Sequence, residues 1–130
     1  MRPGAITIVT CFVLAVSPQI LASADVEASD NEAEYSPESA SVRTLTGDET
    51  AGEKLYRRNC RACHGATAGG AASYPKLVGH PTGFLVDRVA RYRAGERFGA
   101  NTPLMAQGVR KLSDQNIADV AAFIVSLDQK

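Results

Sequence analysis

Cys60, Cys63 and His64 form the string C-R-A-C-H, the densest grouping of reactive side chains in the 130 residues. Residues three apart on a helical turn share a face. Two thiols so placed can both reach the vinyl groups on one edge of a haem, and the adjoining imidazole then projects under the ring. This is the c-type haem attachment pattern, which implies one covalent haem c. Other uses of the same cysteines fit less well. A structural zinc site needs four ligands, and His80 is the only other histidine. A thioredoxin-like pair needs a βαβ setting. A disulfide between Cys60 and Cys63 would close a tiny loop with little entropic gain.

Haem iron with a histidine on one side takes a second ligand on the other. Apart from Met1, the chain has a single methionine, Met105, in the string Pro103-Leu104-Met105. The glycines at 99 and 108 mark this stretch as a loop, from which a side chain can be swung onto iron. The common role of an isolated methionine is to fill a gap in a core. The competing ligand is His80, between Gly79 and Pro81, which would give bis-histidine iron. A thioether favours ferrous iron and raises the reduction potential.

The elements that must position these residues are helical. Thr46 or Asp48 can cap a helix reaching about Cys60, with Leu55 and Tyr56 as apolar anchors. Gly52 inside it costs about 1 kcal/mol relative to Ala, so another backbone or ring is expected to pack closely there. Thr82 can cap a second helix through Ala94, with Gly95 as its stop. Ser113 caps a last helix whose apolar positions Ile117, Val120, Ala121, Ile124 and Leu127 follow helical spacing. No stretch reads as a sustained strand, so the fold class is all-α.

The N-terminus reads as an export signal over residues 1–24. Arg2 precedes the apolar run Ile6–Val16, Pro18 breaks it, and Ala22-Ser23-Ala24 fits a cleavage site. Eleven apolar residues fall short of the roughly twenty of a membrane span; an uncleaved anchor running on to Leu21 is the alternative. Cleavage would remove Cys11, leaving Cys60 and Cys63 as the mature cysteines. Residues 25–45 carry six acidic residues against Arg43 and almost no bulky apolar ones, which reads as an acidic flexible tail. Residues 46–130 then form the folded domain, with twelve Lys or Arg against eight Asp or Glu. The whole chain has a formal charge of zero, 14 basic against 14 acidic residues, and points to no nucleic acid. An 85-residue domain has little core of its own, so its folding is expected to depend on the haem.

C-R-A-C-H, Y-P-K-L-V-G-H, P-L-M and L-S-D-Q-N-I-A-D-V-A-A-F-I together resemble a class I bacterial cytochrome c. The likeness covers residues 46–130 and is strongest to small periplasmic cytochromes related to the halves of di-haem proteins. It implies three to four helices wrapped around one covalently bound haem, with His64 and Met105 on iron. It also implies that the Pro75 carbonyl accepts from the His64 ring, orienting it and raising its basicity. Gly52 and Tyr56 would cross Val120 and Phe123. The implied function is one-electron transfer in the periplasm or outside the cell. Partners would be a donor dehydrogenase or quinol-oxidising complex and an acceptor oxidase or reductase, with no stable membrane insertion after signal cleavage. The alternative is a cytochrome subunit of an exported oxidoreductase acting on a sulfur compound or an alcohol. A gas-binding or peroxidatic protein is disfavoured, because helical bundles of that kind carry the haem string near the C-terminus. Arg57, Arg58, Arg61, Lys76, Arg110 and Lys111 are candidates for a basic rim that steers an acidic partner; an ordinary solvated surface is the plainer reading.

Overall fold

Helix starts and stops account for the architecture. A computed structural model describes residues 35–129 of the chain; the expected signal 1–24 and residues 25–34 of the expected tail lie outside the described residues. Among the described residues six α-helices run in the order α1 (Ala40–Arg43), α2 (Glu49–Asn59), α3 (Arg61–His64), α4 (Thr82–Arg93), α5 (Thr102–Val109) and α6 (Asp114–Leu127). Among the described residues the only β pairing is an isolated bridge between Ala71 and Tyr74. Asp48 caps α2 by accepting from the Ala51 N–H at 2.7 Å. Ser113 and Asn116 form a reciprocal capping box at the start of α6. Gly95, at φ +91°, ends α4 as expected.

The core is the crossing of α2 and α6, joined by α4. Tyr56, Ile117, Val120, Phe123 and Ile124 are buried in it together with Leu85 and Val86. Gly52 earns its place at the crossing: a Cβ there would stand 2.0 Å from the Asp119 carbonyl oxygen and 2.9 Å from the Phe123 Cβ. The ring of Tyr56 meets that of Phe123 at 5.4 Å. The start of α2 is clamped to α6 by polar contacts as well. The Asp48 N–H donates to the Asp119 carboxylate at 2.9 Å. Gln115 donates both to that carboxylate at 2.8 Å and to the Thr46 carbonyl at 2.9 Å.

Two expectations need correction. The flexible tail expected over 25–45 is folded from Tyr35 onward. A 3-10 turn at Pro37–Ser39 leads into α1, and both pack on α4 while α1 also meets α6. Val42 is fully buried. The Asp87 carboxylate on α4 accepts from the Ser36 N–H and hydroxyl, each at 2.6 Å, and lies 3.1 Å from the Ser39 hydroxyl. The Ser41 hydroxyl donates to Asp114 at 2.7 Å. Composition misled because one valine and three serines, aimed at two carboxylates, dock this strap without an apolar run. The second correction concerns Gly99–Gly108, expected as a loop. Its second part is α5, so Met105 sits on a helix. Pro103 lies in the first turn, where its missing N–H costs no hydrogen bond, and Thr102 Oγ1 accepts from the N–H groups of Phe98 and Gly99 at 2.9 and 3.0 Å.

Candidate functional site

The helix α2 ends at Asn59, and the chain turns at Cys60 into the single turn α3 that carries Arg61 to His64. Cys60 and Cys63 are both free thiols and both face a cleft of about 300 Å³. In the free-thiol form, burial and the neighbouring Cys63 push the Cys60 thiol up to about 11, so it stays protonated at neutral pH. Burial, then Cys60, pushes the Tyr56 hydroxyl up to about 12; that hydroxyl donates to the Gly65 carbonyl at 2.8 Å and fixes the chain just after the motif.

His64 is buried, at 6% exposure. Its Nδ1 lies 2.9 Å from the Pro75 carbonyl oxygen. A carbonyl can only accept, so in the neutral ring Nδ1 holds the proton and Nε2 keeps its lone pair. Gly70 makes this contact possible. At φ +81° it passes directly beneath the returning strand of the loop, and a Cβ there would stand 2.7 Å from both the Tyr74 oxygen and the Lys76 nitrogen. The Gly70 N–H also donates to the His64 carbonyl at 2.9 Å.

The rest of the cleft is mostly apolar. Leu77, Leu85, Val89, Val109, Leu112, Val120 and Ile124 contribute to its walls. Met105 lines it from α5 and packs partly buried against the core. His80 lines it too, but as an exposed ring stacked on Phe84 with centroids 4.6 Å apart. The structure thus brings Cys60, Cys63, His64, Pro75 and Met105 to one cleft, and leaves His80 at its rim.

The six basic residues considered as a rim are all exposed, and four of them border three different hollows. Lys76 borders the cleft. Arg57 and Arg61 border a separate hollow, with Arg57 paired to Glu53 at 2.7 Å, and Arg58 borders a third. A second cation, Arg88, which was not among those six, also lines the cleft. The spacing of Phe84, Arg88 and Tyr92, four apart on α4, is the signal that could have placed it there.

Residues 49–128 match the family model described as cytochrome c. The chain belongs to the cytochrome c family. It is 42% identical over 81 residues to cytochrome c-554(548) of Halomonas halodenitrificans, covering 62% of this chain and 96% of that protein. It is 29% identical to cytochrome c-554(547) of Halothiobacillus neapolitanus, covering 62% and 98%. It is 31% identical over 115 residues to the thiosulfate dehydrogenase electron acceptor of Stutzerimonas stutzeri, covering 82% of this chain and 53% of that one. The all-α class, the class I bacterial cytochrome c resemblance and haem c as the cofactor are therefore established at family level, and the chain is an electron-transfer protein rather than an enzyme in its own right. The site fits that group: two cysteines three residues apart facing an apolar cleft, with a buried imidazole whose one nitrogen is tied back, are what a covalently held ring requires. Among the described residues no helix is long and apolar enough to cross a membrane.

Proposed function

We propose that the protein is a periplasmic one-electron carrier with a single haem c, joined through Cys60 and Cys63 and held on iron by His64 and Met105. The observation that carries the ligand assignment is the 2.9 Å contact of His64 Nδ1 with the Pro75 carbonyl. It fixes the tautomer, frees Nε2 for a metal and raises its basicity. Met105 supports the other half: it lines the same cleft and is packed rather than loose. When bound, the group supplies reversible one-electron chemistry. With His64 and Met105 both holding the iron, no position on it would stay open for a substrate. Export rests on the segment 1–24, and the partners are redox proteins on the donor and acceptor sides.

A second reading, as the electron-accepting component of an exported dehydrogenase, has one observation in its favour. The alignment to the thiosulfate dehydrogenase electron acceptor covers 82% of the chain. That span exceeds residues 49–130, so it reaches into the segment before Glu49. Gel filtration of native extract separates the readings: a free carrier elutes at its own mass, a component elutes with its enzyme.

The ligand assignment is tested with Met105→Ala and His80→Ala side by side. The ferric parent should show the weak sulfur-to-iron band at the red end of the spectrum. Met105→Ala should abolish the band and lower the reduction potential; His80→Ala should do neither. The opposite pattern, low-spin character lost in His80→Ala and the band kept in Met105→Ala, would replace the assignment by a bis-histidine centre.

A further inference from the structure

The supports of His64 and Met105 meet at one place. The chain doubles back over residues 71–74 in a tight turn, where the Tyr74 N–H donates to the Ala71 carbonyl at 2.9 Å and the Ala71 N–H to the Tyr74 carbonyl at 3.2 Å. Ser73 stands exposed in that turn, just before the Pro75 carbonyl that holds His64. Its partner is Asn101, half-buried at the start of α5 and lining the cleft. The Asn101 side-chain amide donates to the Ser73 hydroxyl at 3.2 Å and reaches the Ser73 carbonyl at 3.5 Å. The Asn101 backbone carbonyl in turn accepts from the Met105 N–H at 3.1 Å.

Local rules do not account for this contact. An asparagine at an N-cap ordinarily turns its side-chain oxygen onto the first free N–H groups of its helix, and Asn101 makes no such bond. A carbonyl only accepts, so the approach to the Ser73 oxygen turns Nδ2 toward the turn. Within the turn, Ala72 holds φ +49°, a left-handed conformation that an alanine enters at a cost and keeps where its surroundings hold it. Among the helices α5 packs mainly on α4, which carries neither His64 nor Met105. Helix packing alone therefore does not set Met105 against His64.

We propose that Asn101 is a positioning residue whose bond to Ser73 clasps the start of α5 to the turn before Pro75, and so keeps Met105 in place opposite His64. This rests on the reading of Met105 as the sixth ligand. The clasp completes one continuous path: from His64 to the Pro75 carbonyl, along the chain to Ser73, across to Asn101, and from its carbonyl to the Met105 N–H. One-electron transfer requires both ligands to keep their places in the ferric and the ferrous state. A hydrogen bond of ordinary net strength shifts a balance between held and released by about two- to tenfold. The clasp therefore governs how easily an outside ligand displaces Met105, while the fold as a whole depends on it little.

The test is imidazole binding to the ferric holoprotein, followed by loss of the sulfur-to-iron band. It compares the parent with Asn101→Ala, Ser73→Ala, the two combined, and Gln107→Ala as a control at an exposed position of α5. Asn101→Ala should bind imidazole about two- to tenfold more tightly than the parent, with the Tm of the imidazole-free protein nearly unchanged. Ser73→Ala should act in the same direction but less, because the Ser73 carbonyl stays within reach of the amide. The double variant should match Asn101→Ala alone, since the second change removes a partner already lost. Gln107→Ala should bind like the parent. If Asn101→Ala does not fold, Asn101→Ser takes its place; it keeps a capping side chain that is too short to reach Ser73, and the same tighter binding is expected. Parent-like affinity in the folded Asn101 variant, or a double variant showing the full sum of the two single effects, would overturn the clasp and leave Met105 untouched. A parent without the sulfur-to-iron band would instead remove Met105 as the ligand, and the clasp with it.

Discussion

At the scale of single residues, the site depends on Gly52 and Gly70, where a side chain would collide with neighbouring backbone. Gly52 lets α2 and α6 cross, and the sequence reading expected a close neighbour there because glycine is otherwise a poor helix residue. The family resemblance implied a crossing of Gly52 and Tyr56 over Val120 and Phe123; the structure places the Asp119 carbonyl and Phe123 against Gly52 and the Phe123 ring against Tyr56. Gly52→Ala should cost about 3 kcal/mol, the upper end for overpacking, because the nearest obstacle is backbone and cannot rotate away. Thermal melting of the holoprotein would show it, and a parent-like Tm would contradict the close crossing. Gly70 was legible only as one of several small residues in a loop, because its role depends on a backbone contact with residues 74–76 that spacing does not reveal. Gly70→Ala should displace the Pro75 carbonyl from His64. The ring then loses basicity, ferric iron loses stabilisation, and the potential should rise. An unchanged potential in a folded Gly70→Ala protein would mean that the 2.9 Å contact does not tune the iron.

The elements show where sequence reasoning succeeded and where it did not. α2 and α6 were legible from their caps and 3.6-residue spacing, and α4 from its apolar spacing and the Gly95 stop; Thr82, expected to cap α4, is instead its first residue, and Pro81 stands at the N-cap with no side-chain hydrogen bond. The strap before Gly47 and the helix α5 were not. The strap has one fully buried apolar anchor, Val42, and holds by hydrogen bonds to Asp87 and Asp114 that become visible only once α4 and α6 are folded. Val42→Ala should cost about 2 kcal/mol from lost burial and the cavity left behind. Deleting residues 35–45 should lower the Tm much further without removing the haem spectrum. An unaltered Tm after deletion would show that the strap does not hold the domain together. Asp87 gives a pH test of the same contact. Burial alone would push its carboxyl up, but the hydrogen bonds from Ser36, Arg91 and Ser39 outweigh it and hold the carboxyl below its usual value. A folded pKa below the unfolded one, about 3.9, adds stability at neutral pH that is lost as pH falls through the folded value. Asp87→Asn should therefore melt earlier than the parent at pH 7, and the gap should close below about pH 4. A gap independent of pH would locate the strap's hold elsewhere.

For the whole molecule, the cleft explains why so short a chain folds. The helices surround an apolar space, and residues 46–130 alone are few for a self-sufficient core. Replacing Cys60 or Cys63 by Ala should weaken retention of the haem, and replacing both should leave an unfolded or unstable chain; a compact, stable double variant without haem would show that the protein core suffices. The motif and its histidine stood out because those residue types come at fixed spacing, and Met105 because no other methionine follows Met1; the structure brings them to one cleft. Arg88 was less legible, because its spacing four residues from Phe84 and from Tyr92 is a weak signal that a solvated helix face also gives. The central claim is a closed, six-coordinate centre that moves one electron, and a reductive titration of the purified holoprotein tests it most directly, followed optically under argon and again under carbon monoxide. Uptake of one electron per chain, with the same ferrous spectrum under both gases, is the expected result. A ferrous spectrum that changes under carbon monoxide would show an open or readily opened iron, and would contradict the account of Met105 as a held ligand and of the protein as a pure electron carrier.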